Sequence, residues 1–126
     1  TRRRGDRVKF ASLLLAAAFL AAPAAAQDVA SARGAVLRGL DKMSGAVADI
    51  EVAVGDTATF GKLQVSLTDC RYPVGDPTSN AYAQLIIFDP AQDQPVFDGW
   101  MIASTPALSA LDHPRYDVWV LRCKSE

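Results

Sequence analysis

The stretch S-T-P-A-L-S-A-L-D-H-P-R-Y-D-V-W-V-L-R-C, Ser104 to Cys123, decides how the chain is read. It holds the only histidine, one of two tryptophans and one of two cysteines. Its second half, Tyr116 to Cys123, is an apolar run of strand length. Val118 and Val120 fall on one side of it, and Trp119, Leu121 and Cys123 on the other. Apolar residues on both sides predict a strand that is central in its sheet or covered. Before it, Pro106 to Leu111 has room for a short helical turn, since Pro suits a first helical position. Asp112-His113-Pro114 ends that turn.

Working back from this stretch, the chain keeps a period of two. Pro95 to Ala103 reads as a strand, with Gly99 as a bulge or close-approach point. Tyr82 to Phe88 is a short apolar run suited to a central strand, and Asp89 to Gln94 is the turn after it. Arg71 to Ala81 is rich in turn residues and reads as a surface loop. In Leu63 to Cys70, Leu63, Val65 and Leu67 share a face, but Cys70 has the parity of Gln64, Ser66 and Thr68. Either a bulge turns Cys70 inward, or its bond lies at the sheet's end. Ala35–Lys42 and Val47–Val54 are the first two strands, parted by Met43-Ser44-Gly45. The fold class is therefore all-β: a small antiparallel sandwich or barrel with one short helical turn.

The first 26 residues stand apart. Arg2, Arg3, Arg4, Arg7 and Lys9 precede an apolar segment of 13 residues, Phe10 to Ala22, and an Ala24-Ala25-Ala26 site. The pattern is that of a secretory signal peptide, and the apolar segment is short for a stable membrane span. The expected organisation is a signal peptide at 1–26, a flexible leader at 27–34 and one β domain at 35–126, in the periplasm. Residues 27–126 carry 8 Lys+Arg and 13 Asp+Glu, a net charge near −5. Such a balance argues against nucleic acid and against an anionic membrane surface as partners.

Cys70 and Cys123 are an even pair in an exported chain and read as one disulfide. It would close a loop of about 50 residues, worth roughly 4 kcal/mol in the chain-entropy model. The rival is two free thiols in a redox or metal site, which the lack of C-x-x-C and the single histidine disfavour. No cofactor and no metal are expected.

His113 is the candidate general base, with Asp112 or Asp117 to orient it and Ser104 or Ser109 as nucleophile. Neighbouring side chains on an extended segment point apart, so Asp112 is badly placed for that task. The competing reading is an ordered corner, in which Asp112 accepts backbone N–H bonds, Pro114 sets the turn and Arg115 pairs with a carboxylate. Lys42 and Ser44 raise a Ser-Lys dyad, disfavoured because Lys42 sits beside Asp41 at a surface turn. Trp100, Met101, Phe97, Tyr72, Tyr116 and Trp119 could form a recognition surface, but most of them are expected in the core. Tyr72 lies between Arg71 and Pro73, Tyr116 follows Pro114-Arg115, and the disulfide could draw them into one patch. The candidate interaction surface is accordingly Tyr72, Asp112, His113, Arg115, Tyr116 and Asp117.

Four blocks carry a family resemblance: L-R-G-L-D-K-M-S-G (37–45), C-R-Y-P (70–73), P-V-F-D-G-W-M (95–101) and T-P-A-L-S-A-L-D-H-P-R-Y-D-V-W-V-L-R-C (105–123). Together they resemble an exported alphaproteobacterial family, domain of unknown function 2155, from about Gly34 to Cys123. Thr105 stands where that pattern has serine. The resemblance implies an envelope protein and brings no activity, cofactor or catalytic residue. It also implies a genetic association with an accessory subunit of respiratory complex I. The function expected is a non-enzymatic module that binds or scaffolds an envelope or membrane-complex protein. The alternatives are a small hydrolase using His113, and an accessory or assembly factor of a membrane complex such as complex I.

Overall fold

The computed structural model describes residues 28–125. The signal peptide expected at 1–26 lies outside them. Eight strands run in order: β1 (Val29–Ser31), β2 (Gly34–Asp41), β3 (Val47–Ala53), β4 (Thr57–Phe60), β5 (Leu63–Pro73), β6 (Tyr82–Phe88), β7 (Phe97–Ile102) and β8 (Tyr116–Lys124). They form two antiparallel sheets. One orders β1-β5-β6-β7, with β4 also on β5, and the other orders β3-β2-β8. β1 pairs with residues 71–73 of β5 and β4 with residues 63–66. The fold class expected from the period-two pattern holds. The expected helical turn is corrected: no helix forms among the described residues, and the Pro106–Leu111 segment makes only a β-turn, closed by the Leu108 N–H on the Thr105 carbonyl at 3.0 Å.

The core fills the space between the sheets. Leu63, Val65 and Leu67 of β5 meet Ala83, Leu85 and Ile87 of β6, Met101 of β7, Ala35 and Leu37 of β2, and Val118 and Val120 of β8. All are at most 3% exposed. At about 25 cal/mol per Å2, such burial is the main favourable term in folding a domain of this size.

Two bulges bring the cysteines together. On β5, Leu67 pairs with Leu85 and Asp69 with Gln84, so Thr68 is the extra residue. Past it, Cys70 faces inward opposite Ala83 and is fully buried. On β8, Val120 pairs with Leu37 but Arg122 with Val36, so Leu121 is the extra residue. Cys123 then lies opposite Ala35, on the core face. Each bulge reverses the parity of the residues beyond it. The two cysteines form a disulfide between the sheets, with Cα atoms 5.8 Å apart. The grouping of Cys123 with Trp119 and Leu121 on one face is thereby corrected.

Four further expectations need correction. The leader at 27–34 is not loose, because residues 29–31 are β1 and Gly34 begins β2. Arg33 is tied at both backbone groups, donating to Lys124 O at 3.1 Å and accepting from Val54 N at 2.8 Å. The β domain therefore begins near Val29 rather than at 35. Of the two readings of β8, central or covered, the central one fails, for it pairs only with β2 and forms a sheet edge. Gly99 makes no bulge, since the β6–β7 register is continuous from Tyr82↔Ile102 to Ile87↔Phe97.

Candidate functional site

The corner before β8 is built around His113, whose side chain is only 9% exposed. Its Nδ1 accepts the N–H groups of Arg115 at 3.0 Å and Tyr116 at 3.2 Å. A nitrogen that accepts two N–H bonds carries no proton, so the proton sits on Nε2. Nε2 lies 2.8 Å from Asp89 Oδ2 and donates to it. Asp89 opens the polar turn after β6 and is held by the Ala91 N–H as well. The His113 bond, followed by that amide, lowers the Asp89 carboxyl from its ordinary range. Both ring nitrogens are committed, which leaves no free lone pair for general-base work. No serine, threonine or cysteine side chain bonds to His113 among the described residues.

The Asp41–Gly45 turn joins this corner from the other side. Arg115 grips Asp41 with Nε at 3.2 Å and Nη2 at 3.0 Å. Asp41 Oδ1 also accepts the Met43 and Ser44 N–H groups. The Arg115 hydrogen bond, against some desolvation and aided by those amides, lowers the Asp41 carboxyl to about 2. Lys42 donates its Nζ to the His113 carbonyl at 2.6 Å and lies 3.6 Å from Asp117. Ser44 Oγ accepts the Ala46 N–H. No hydrogen bond joins Lys42 to Ser44, so the dyad is not assembled. The ordered-corner reading thus gains its Arg–carboxylate pair. The backbone acceptor in it, however, is His113 rather than Asp112.

The six candidate surface residues do not form one patch. Tyr116 is 2% exposed and belongs to the core. Its ring stands edge-on to Phe60 at 5.8 Å, and its hydroxyl accepts the Lys62 N–H at 3.3 Å. Gly61, at φ +57°, passes so close that a Cβ there would lie 2.6 Å from the Tyr116 hydroxyl. Tyr72 pairs with Ala30 in β1, beside the disulfide. β8 separates that end from the corner by seven residues, about 23 Å of extended strand. Asp112 is exposed, while Arg115 and Asp117 are half-buried beside the Asp41 turn.

A different surface emerges on the outer face of the β1-β5-β6-β7 sheet. Val29, Arg71, Tyr82, Trp100 and Ile102 line a shallow, mainly apolar depression of about 290 Å3. Arg71 lies 5.2 Å over the Trp100 ring and donates Nε to Asp69. Trp100 is therefore outward-facing, whereas Met101 beside it is core. Sequence reading missed this face because it spans four strands whose order is not local information. The one available signal was the parity of Tyr82, Trp100 and Ile102.

Fold and site together define an all-β sandwich domain, stapled between its sheets by one disulfide. The chain belongs to the DUF2155 family, described as "Uncharacterized protein conserved in bacteria", whose model matches residues 35–123. It is also 25% identical over 87 residues to an uncharacterized protein of Rickettsia prowazekii (strain Madrid E). That alignment covers 67% of this chain and 56% of the relative, so the chain spans little more than half the relative's length. No solved structure matches the chain.

Proposed function

We propose that this domain is a non-enzymatic, protein-binding module of the bacterial cell envelope, exported to the periplasm. The observation that carries the reading is the outer face around Trp100. The outer face of an antiparallel sheet in a small sandwich is ordinarily polar. Here Tyr82, Trp100 and Arg71, residue types that anchor protein interfaces, stand on it with Ile102 beside them. The committed nitrogens of His113 favour binding over hydrolysis. A disulfide suits an oxidising compartment. The partner class is an envelope or membrane-complex protein.

The test is crosslinked pull-down of the protein from envelope fractions, comparing wild type with Trp100→Ala. Loss of a defined partner, on the order of 2 kcal/mol in affinity, is expected at an unchanged melting temperature. An identical set of captured proteins from both forms would refute the assignment of this face.

A further inference from the structure

β8 is an edge strand with unpaired backbone. The Lys42 N–H donates to the Arg115 carbonyl at 2.8 Å, so this is a hydrogen-bonded pair of the β2–β8 ladder. Such pairs alternate with non-bonded ones along an antiparallel ladder. Asp117, opposite Leu40, and Trp119, opposite Arg38, therefore turn their N–H and C=O groups toward β2. Val118 and Val120 turn theirs away. No hydrogen bond to them from the segment 103–112 occurs among the described residues. That segment runs alongside the edge without pairing to it. Between the two lies a cleft of about 260 Å3, walled by Pro106, Ala107, Ala110, Leu111, Val118 and Trp119.

Charge at this cleft has one sign to spare. No lysine or arginine lines it. Asp112 follows Leu111 directly, is exposed, and has no ion pair or side-chain hydrogen bond among the described residues. Asp117, which does line the cleft, already faces Lys42 at 3.6 Å. The net charge near −5 over residues 27–126 adds a broader negative field.

We propose that this cleft receives an extended, basic and apolar segment of a partner polypeptide, which adds to β8 as a further strand. Open strand edges bind chains through backbone hydrogen bonds, and alternate side chains then sample adjoining pockets. Apolar side chains of the guest pack on Leu111 and Trp119, and a lysine or arginine meets Asp112. The site is separate from the Trp100 face and needs nothing from it.

The test selects phage-displayed random dodecapeptides on the mature secreted protein and maps the best synthetic binders by amide hydrogen exchange. The expected binders are basic with alternating apolar residues, and they slow exchange at Val118 and Val120. N-methylation of alternate guest amides should weaken binding about tenfold, the effect of losing one or two net hydrogen bonds. Ala110→Trp, which fills the cleft, should weaken it similarly. If that variant melts early, the wild-type exchange map decides by itself. Binders that protect residues around Trp100 instead would overturn this site while leaving the Trp100 reading intact. Acidic binders, indifference to N-methylation, or no binders at all would also overturn it.

Discussion

His113 and Asp89, 24 residues apart in sequence, meet through an Nε2–Oδ2 hydrogen bond of 2.8 Å. The bond ties the turn after β6 to the corner that launches β8. At the same time the other ring nitrogen holds the backbone of that corner. A histidine in a loop rich in acids invites a catalytic reading. The geometry instead makes it a backbone acceptor whose tautomer is set by its partners.

Removing that acceptor strands two amides. His113→Ala should lower stability by about 1–3 kcal/mol, the range for leaving part-buried donors unsatisfied. At roughly 4–8 °C per kcal/mol for a domain this small, the melting temperature falls measurably. His113→Asn should lose less than His113→Ala, because a short side-chain oxygen can still accept from the backbone two residues on. Thermal melts of both variants decide the point, and an unchanged melt for His113→Ala contradicts it.

The inter-sheet disulfide gives a second expectation. Intact mass before and after reduction and alkylation should show one intramolecular bond between Cys70 and Cys123. Replacing both cysteines by alanine should destabilise the domain by roughly 2–5 kcal/mol. A native protein that takes up alkylating reagent at both sites would contradict the bond.

Acid should unlock the Asp41 turn. The Asp41 carboxyl sits at about 2, below its ordinary value of 3.8. A carboxylate lowered by folding stabilises the native state above its unfolded-state value, and that stability is lost as pH falls through the folded value. The contribution should therefore fade between about pH 4 and pH 2. Asp89, lowered in the same direction by His113, adds to the same slope. Denaturant unfolding across that range should show a shallower pH dependence for Asp41→Asn than for wild type. Parallel curves would exclude the Arg115–Asp41 contribution.

Gly61 offers a steric check on the packing of Tyr116. Its positive φ and its approach to the Tyr116 ring both exclude a side chain. Gly61→Ala should cost more than about 1 kcal/mol, since the strained backbone and the displaced ring act together. Gly45, also at positive φ but with open space around it, should lose less on substitution by alanine. Equal melting temperatures for the two variants would contradict the close contact.

Export is tested at the N-terminus. Protein recovered from the periplasm should begin at Gln27, after the Ala24-Ala25-Ala26 site. Full-length chain retained in the membrane would refute cleavage.

The sequence by itself determined most of the strands, though not β1 or residues 71–73 of β5, because alternation and turn chemistry are local. Leu63-Val65-Leu67 and Ile50-Val52 declare their faces within a few residues, and Gly55 and Gly61 mark reversals wherever the rest of the chain lies. Two cysteines, with a first segment that reads as an export signal, pointed to the disulfide. The parity of Cys70 announced either a bulge or a bond at the sheet's end, and Thr68 supplies the bulge. Only the tertiary structure decided everything that depends on which strands become neighbours. The second bulge, at Leu121, shows up only as a slip against β2. Apolar Trp119 and Leu121 left β8 either central or covered, and it is an edge. The carboxylate that orients His113 is Asp89 rather than Asp112 or Asp117, and Tyr72 and Tyr116 sit at opposite ends of β8. Side chains far apart in sequence acquire a distance only once the sheets are ordered and stacked, and no local preference encodes that distance.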